Sequence, residues 1–557
     1  MLGLTTMVVG VLFFAPVLAE APDGASPEAP GFTTLLPPLV AIVFALLTRQ
    51  VLLSLFCGVW VGAALVFEAN PFTSFLRALD HYVLGALADK DHGSILLFSL
   101  SLGGLVGILT ASGAIRGVVE KLAERARSGR SGQTITAVLG CLIFFDDYAN
   151  ALIVGNTMRP LSDRLRTSRE KLAFLVDATA APIATLGIIS TWTAYQLGLV
   201  AEVLPGLDFD PAPAPYLFFL GAIPFSFYSL LMILLVFSSA VSGRDFGPMH
   251  RAESRAQRTG DVLREGAQPL VGGELEELAT QQAKPAHWAL GVVPIVCVVL
   301  FTLIALYRTG VDRLQAVGEV EYRLRDVIAA ADAFRSLLWA SFGASIVAGV
   351  LALSRRMAIS KVIEAWVSGA RSLVLAAMTL LLAWSISAAC NELRTGEYVL
   401  SITRGELPAH AIPALSFLAA GLIAFATGTS YGTMGILVPV LLPLSGSLAA
   451  DAGLDASLRL TLCQATTAAI LGGAVFGDHC SPISDTTVLS SMAAGSDHID
   501  HVRTQLPYAL LIAAVCLPSY WAIGLGVNAL IVVPLAAVVV IAVFRGLSAR
   551  TDESIDT

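Results

Sequence analysis

The chain has 557 residues, of which 56% are hydrophobic and 14% charged, and its mean hydropathy is +0.76; an ordinary soluble domain carries about 25% charged residues. The net charge of −8 and pI near 5.5 give no electrostatic footprint for nucleic acid. Apolar runs repeatedly reach the roughly 20 residues that a helix needs to cross the hydrocarbon core, and the alternation of a membrane barrel is missing, so the composition specifies an all-α polytopic membrane protein.

In chain order, residues 1–32 come first. "MLGLTTMVVGVLFFAPVLAEAP" has an apolar core and small residues at Val17-Leu18-Ala19, but no early Lys or Arg, so a cleavable signal and an extra first helix both fit. The acidic stretch after it reads as exported. Residues 33–241 form a first transmembrane unit. Apolar runs at about 33–48 and 51–67 lead to "ANPFTSFLRALDHYVLGALADKDHG", whose pattern is that of an interfacial helix. Run 93–112 then reaches a loop with Arg116, Lys121, Arg125, Arg127 and Arg130, which the positive-inside rule makes cytoplasmic. Segment 133–157 ends in a second basic loop, with Arg159, Arg164, Arg166, Arg169 and Lys171. A segment flanked on both ends by cytoplasmic loops enters and leaves on one side, as a re-entrant helical hairpin. Runs 172–199 and 216–241 complete the unit.

A polar linker, 242–286, divides the chain. The second unit, 287–545, contains runs 287–307, 334–354 and 366–390, then a block 411–446 with weakly basic flanks. That block is expected to be a second hairpin, entering from the opposite side. Run 459–494 and two more helices follow, and 546–557 is a cytoplasmic tail. The seven cysteines lack CxxC pairs, and Cys57, Cys141, Cys297, Cys463 and Cys516 lie in apolar runs, which is packing rather than a disulfide or metal framework. No Walker A motif appears.

Opposed hairpins predict two inverted-topology repeats, each with a re-entrant hairpin and a Pro-broken transmembrane helix. "APIATLGIIS" echoes "SPISDTTVLS", aligning Pro182 with Pro482, and "FFDDYANALIVGNTMRP" occupies the place of "FATGTSYGTMGILVPV". Such repeats with discontinuous helices mark a midplane site in secondary transporters. Pro182 and Pro482 are expected to break their helices and free backbone carbonyls.

The first hairpin contributes Asp146, Asp147, Asn150, Asn156 and Thr157, and the second Thr429 and Ser430; Asp478, Ser481, Asp485 and Thr486 flank the second break. An ionised Asp at the bilayer centre costs roughly 2.5–3.5 kcal/mol on insertion scales, so the adjacent pair needs protein, water or a cation. Oxygen donors suit a hard ion such as Na⁺. A desolvated carboxylate also takes a proton more readily, and competition of cation with proton is antiport chemistry. The simplest alternative for Asp146 and Asp147 is a salt bridge to a loop arginine such as Arg159. Asp177 fits an interfacial pair or a functional role, and His479 a proton relay or a structural bond.

"FFDDYANALIVGNTMRPLSDRLRTSREKLAFLVDATAAPIATLGIISTW", "FATGTSYGTMGILVPV" and "GGAVFGDHCSPISDTTVLSSMAAGSDHIDHVRTQLPYAL" resemble blocks of the NhaC-type sodium/proton antiporters, within the ion-transporter superfamily. The resemblance implies a multi-pass bacterial inner-membrane exchanger of Na⁺ for H⁺. It also implies a homodimer with scaffold and transport parts, and no cofactor beyond the transported ions. That family also includes exchangers of malate and lactate, so coupled transport of a small organic acid or amino acid is the alternative.

Overall fold

The computed structural model describes residues 31–550 apart from 49, 68–69, 125, 208, 210–212, 270–285, 317–326, 328–329, 396–397, 399–406 and 483. The signal-like residues 1–30, part of the linker and the tail from 551 lie outside the described residues. Among the described residues, 8 helices are long and apolar enough to cross a membrane, or up to 11 if each bent pair counts as one span. The chain is a helical multi-pass membrane protein.

Two helical bodies pack side by side. One contains α1 (Leu36–Thr48), α2 (Val51–Val66), α3 (Lys90–Ala111) and, far along the chain, four later helices. Between α2 and α3 the segment Pro71–Ala88 turns away by 111° from the end of α2, as an interfacial helix should. The other body begins with α4 (Ala114–Ala123), which lies between the two. It continues through α5 (Gly129–Leu142), α6 (Asp147–Arg164), α7 (Arg169–Leu186), α8 (Thr191–Val203), α9 (Pro215–Ala222) and α10 (Phe227–Ser242). After the linker helix α11 (Gly247–Thr259), the helices α12 (Ala289–Ala316), α13 (Ala333–Ser354), α14 (Ile359–Ser372) and α15 (Val374–Glu392) return to the first body. The second body is completed by α16 (Ile412–Thr427), α17 (Ser430–Asp451), α18 (Ala456–Cys480), α19 (Asp485–Ala494), α20 (His498–Gly524) and α21 (Ala529–Leu547).

Helices α5 and α6 form the first hairpin. Gly129 and Gly132, at the start of α5, pack against Leu165, just past the end of α6, so both outer ends lie together and the connection Ile143–Asp146 forms the tip. Helices α16 and α17 form the second, turning at Gly428, whose left-handed φ of 72° glycine adopts at no steric cost. Its base closes where Ala409 and Ile412 pack with Leu444, Leu448 and Ala449. Helix α16 lies so close to α18 that a Cβ on Gly473 or Gly477 would run into the carbonyl oxygens of Phe417 and Gly421.

Helices that begin within the membrane must satisfy their first N–H groups without water. Hydroxyl caps do this here: Ser190 accepts from Thr193 N at 3.0 Å, Thr429 from Gly432 N at 3.4 Å and Ser484 from Thr487 N at 3.5 Å. The breaks differ from expectation at one point. Pro182 sits inside α7, and the chain bends by 44° only at 187–190, whereas Pro482 does stand in the gap between α18 and α19. One lost N–H kinks a helix without ending it; Gly187 and the Ser190 cap end it. The carbonyls near both breaks are engaged rather than left open for an ion. Thr185 Oγ1 donates to Pro182 O (2.8 Å), Ser190 Oγ to Ala184 O (2.7 Å), Ser481 Oγ to Phe425 O (2.8 Å), and His498 Nε2 meets Pro482 O at 2.8 Å.

The linker is docked, not loose, as far as residue 269. Its strand β1 (Arg244–Asp245) pairs antiparallel with β2 (Ala549–Arg550) after α21. Asp245 then accepts from buried Lys171 Nζ and Tyr508 Oη, both at 2.6 Å, while Glu253 on α11 accepts from Ser168 N (2.7 Å) and Gln133 Nε2 (2.8 Å). Arg255 grips Glu170 with contacts of 2.9 and 3.0 Å. The linker thereby clamps the base of the first hairpin to the start of α7. Burial, with the nearby Asp245 charge second, pushes the Glu253 carboxyl up to about 7, against the lowering pull of Lys171 and the Ser168 bonds.

Candidate functional site

The first polar cluster lies where the first hairpin's tip meets the start of α8. Asp146 and Asp147 are 5% and 1% exposed, and Thr191 Oγ1 donates to Asp146 Oδ2 at 3.2 Å while Thr191 N holds Phe145 O at 2.9 Å. The N-termini of α6 and α8 thus converge, and their dipoles favour negative charge at this point. Asn150 stands three and four residues beyond the carboxylates, on the same face of α6. Its Nδ2 donates to three carbonyls, Gly140 O (2.6 Å), Ile143 O (3.1 Å) and Thr179 O (3.1 Å), which fixes the amide; its buried Oδ1 has no hydrogen-bond partner. Tyr431, in the first turn of α17, faces both carboxylates. It is held there by Tyr195, whose hydroxyl donates to Tyr431 O at 2.6 Å, and by Trp192, whose ring lies 5.0 Å from its own.

The neighbouring residue, Ser430, turns the other way and donates to Asp478 Oδ2 on α18. Thr487 Oγ1 lies between two acceptors for its one hydrogen, Asp478 O (3.0 Å) and Asp177 Oδ2 (3.1 Å), while Ser490 Oγ donates to Asp177 Oδ1 (3.1 Å) and Gln505 Nε2 to Asp177 Oδ2 (2.6 Å). Asp177 is therefore a fully buried carboxylate held by α19 and α20, not part of an interfacial pair. His479 Nδ1 meets Tyr228 Oη at 2.9 Å. The tip of the second hairpin thus stands between two buried acidic clusters.

Not every expected residue gathers here. Asn156 and Thr157 line a separate cavity of about 400 Å³ near the basic loops, with Arg116, Glu120, Glu124 and Arg164, some 14 Å along α6 from the carboxylates at 1.5 Å per residue. Arg159 packs on Gly495, and twelve residues of helix, about 18 Å, keep it from pairing with Asp147. Thr429 caps α17; Ser481 holds Phe425 O; Thr486 Oγ1 lies 3.1 Å from Ser484 Oγ. Asp485 opens α19, and its side chain lies outside the described residues. Thr191, Tyr431, Gln505 and His501 were not singled out by the sequence. The last two lie in the polar first turns of α20, among His498, Asp500, Arg503 and Thr504, ahead of its apolar run.

Residues 183–525 match the family described as "Na+/H+ antiporter family". An uncharacterized protein of Haemophilus influenzae is 32% identical over 499 residues, covering 88% of this chain and 90% of its own. The arginine/ornithine antiporter ArcD of Halobacterium salinarum is 36% identical over 118 residues, 21% of this chain and 22% of its own. The solved YdaH transporter of Alcanivorax borkumensis has the same fold at a TM-score of 0.57, with 16% identity, over 89% of this chain and 99% of that one. The chain is a secondary-transporter type of membrane protein and belongs to the Na⁺/H⁺ antiporter family.

Proposed function

We propose that the protein exchanges Na⁺ for H⁺ across the bacterial inner membrane by alternating access, with Asp146 and Asp147 as the carboxylates for which the two ions compete. One observation carries this reading: Asn150 Oδ1 is a buried acceptor with no donor, one helical turn from two buried carboxylates. A buried oxygen without a donor costs about 1–3 kcal/mol, and a hard cation beside it relieves that cost and neutralises the carboxylates together. Asp146, Asp147, Asn150 and Thr191 supply only oxygen to such an ion, as Na⁺ prefers. Two hairpins whose tips meet support reading the halves as inverted repeats that rock about this point, with α1–α3 and α12–α15 as the scaffold in a homodimer.

The test is proton flux in proteoliposomes on addition of Na⁺, K⁺ or Li⁺, then of organic acids and amino acids. Proton movement driven by Na⁺ alone establishes the exchange. Movement only with an organic solute present overturns it in favour of solute-coupled transport.

A further inference from the structure

At the end of the second body nearest the basic loops, two histidines on α20 share one hydroxyl. His501, fully buried, places Nδ1 2.8 Å from Ser491 Oγ, and His498, half-buried at the start of the helix, places Nδ1 3.0 Å from the same oxygen. The outer nitrogens have fixed partners. Gln505 Nε2 faces two acceptors, Asp177 Oδ2 at 2.6 Å and His479 O at 3.0 Å, so its Oε1 is the atom 3.0 Å from His501 Nε2. His501 Nε2 must then carry a hydrogen. His498 Nε2 lies 2.8 Å from the carbonyl of Pro482 and must carry one as well.

With both rings neutral, both Nδ1 atoms are bare and compete for the single hydrogen of Ser491, which Thr487 O also attracts at 2.8 Å. A hydroxyl has one hydrogen and two lone pairs. One added proton resolves the conflict: the ring that takes it donates to Ser491, and Ser491 donates to the other ring. The charge so created is not isolated, because Asp177 Oδ2 lies 3.8 Å from His501 Nε2. The titratable groups around His501 are Asp177 from α7, His479 from α18 and His498 on its own helix. Asp500, its neighbour, is turned to Arg264 of the linker at 2.8 Å.

We propose that His498, Ser491 and His501 form a proton-loading site that holds one excess proton, with Asp177 as its counter-charge, and that the site exchanges this proton with water on the basic face. Discharge balances atom by atom. His501 Nδ1 gives its proton to Ser491 Oγ as Ser491 gives its own to His498 Nδ1. His498 then releases the Nε2 proton to water, and its hydrogen bond to Pro482 O breaks. On the inner side Thr487 joins Asp177 to the Asp478 carbonyl, one residue pair away from the second hairpin's tip. Delivery of these protons to an exchange cycle rests on the proposed Na⁺/H⁺ reading; the protonation chemistry itself does not.

The test uses the full chain in nanodiscs with ¹⁵N-labelled histidine, following ring-nitrogen signals with pH, with His501 identified by its loss in His501→Gln. The expected result is a titration in which an added proton appears on Nδ1 of the pair, with a midpoint that falls by about one pH unit or more in Asp177→Asn, as loss of a nearby opposite charge requires. Rings of His498 and His501 that both keep a bare nitrogen from pH 5 to 8, or a midpoint unmoved by Asp177→Asn, overturn the proposal. In proteoliposomes Ser491→Ala is expected to slow proton-coupled flux tenfold or more while ²²Na⁺/Na⁺ counterflow persists. Unchanged coupled flux in Ser491→Ala overturns the relay even where counterflow is intact. Should His501→Gln fail to fold, Ser491→Ala and Asp177→Asn still decide the matter, since both keep the helix and most of its bonds. A protein that moves no Na⁺ at all would defeat the exchange reading and leave the titration result standing.

Discussion

Asn150 is divided between its two amide atoms. Its nitrogen joins Gly140, Ile143 and Thr179, so it fastens the hairpin tip to α7, while its buried oxygen has no hydrogen-bond partner. Asn150→Ala strips the hydrogen bonds from those carbonyls and is expected to lower stability by about 1–3 kcal/mol, read as a fall in the melting temperature of the detergent-solubilised protein. Asp146→Asn and Asp147→Asn are expected to behave differently, with folding and insertion intact and Na⁺-driven proton flux reduced at least tenfold. Wild-type flux in both single mutants and the double mutant would move the site elsewhere. The two aspartates were legible in the sequence because charge stands out in an apolar run. Thr191 and Tyr431 were not, because a hydroxyl or aromatic residue in a membrane helix is ordinary and gains meaning only from what lies opposite. His498 and His501 meet at a serine that precedes them by seven and ten residues on another helix, a relation no periodicity announces.

Among the elements, the first hairpin was the most legible feature, because basic loops on both flanks leave a single apolar segment no other path. Cysteines introduced at Ser131 and Arg159 are expected to label from the same, cytoplasmic side; labelling from opposite sides would contradict the hairpin. The breaks were less legible. A proline was a reasonable marker at Pro482, but in α7 the helix runs on past Pro182 to Leu186, since one missing donor costs less than a new helix start within the membrane. The amphipathic α14 was not separated as a helix: its first half, with Lys361, was read as a cytoplasmic loop, and its second half, with Arg371, was merged into the run 366–390. Close packing of α16 on α18 also makes a prediction. Gly473→Val puts a side chain against the Phe417 carbonyl and should separate the second hairpin from the broken helix, with loss of both folding yield and transport.

For the whole molecule, the linker is the part that sequence reading undervalued. It carries no motif, yet Asp245, Glu253 and Arg255 fasten it to the base of the transport elements through buried charges. Glu253 binds a proton more tightly when docked than when free, with its carboxyl raised from an ordinary 4.5 to about 7. The folded form therefore holds more protons than the unfolded one between these values. The contribution of Glu253 to docking falls as pH rises from 4.5 to 7 and is flat above and below. Limited proteolysis of the linker should accelerate across that interval in the wild type. In Glu253→Gln the acceleration should be absent, because a neutral amide keeps an acceptor for Ser168 N and the uncommitted Gln133 Oε1 can turn to accept from it. Equal pH dependence in the two proteins would contradict this assignment.

Competition between Na⁺ and H⁺ at the first hairpin's tip is most directly measured as proton release when Na⁺ is added to the purified protein in weakly buffered solution, for the wild type and the Asp146→Asn/Asp147→Asn double mutant. The structure predicts Na⁺-dependent acidification in the wild type that disappears in the double mutant. Acidification of the same size in the double mutant, or none in the wild type, would contradict it.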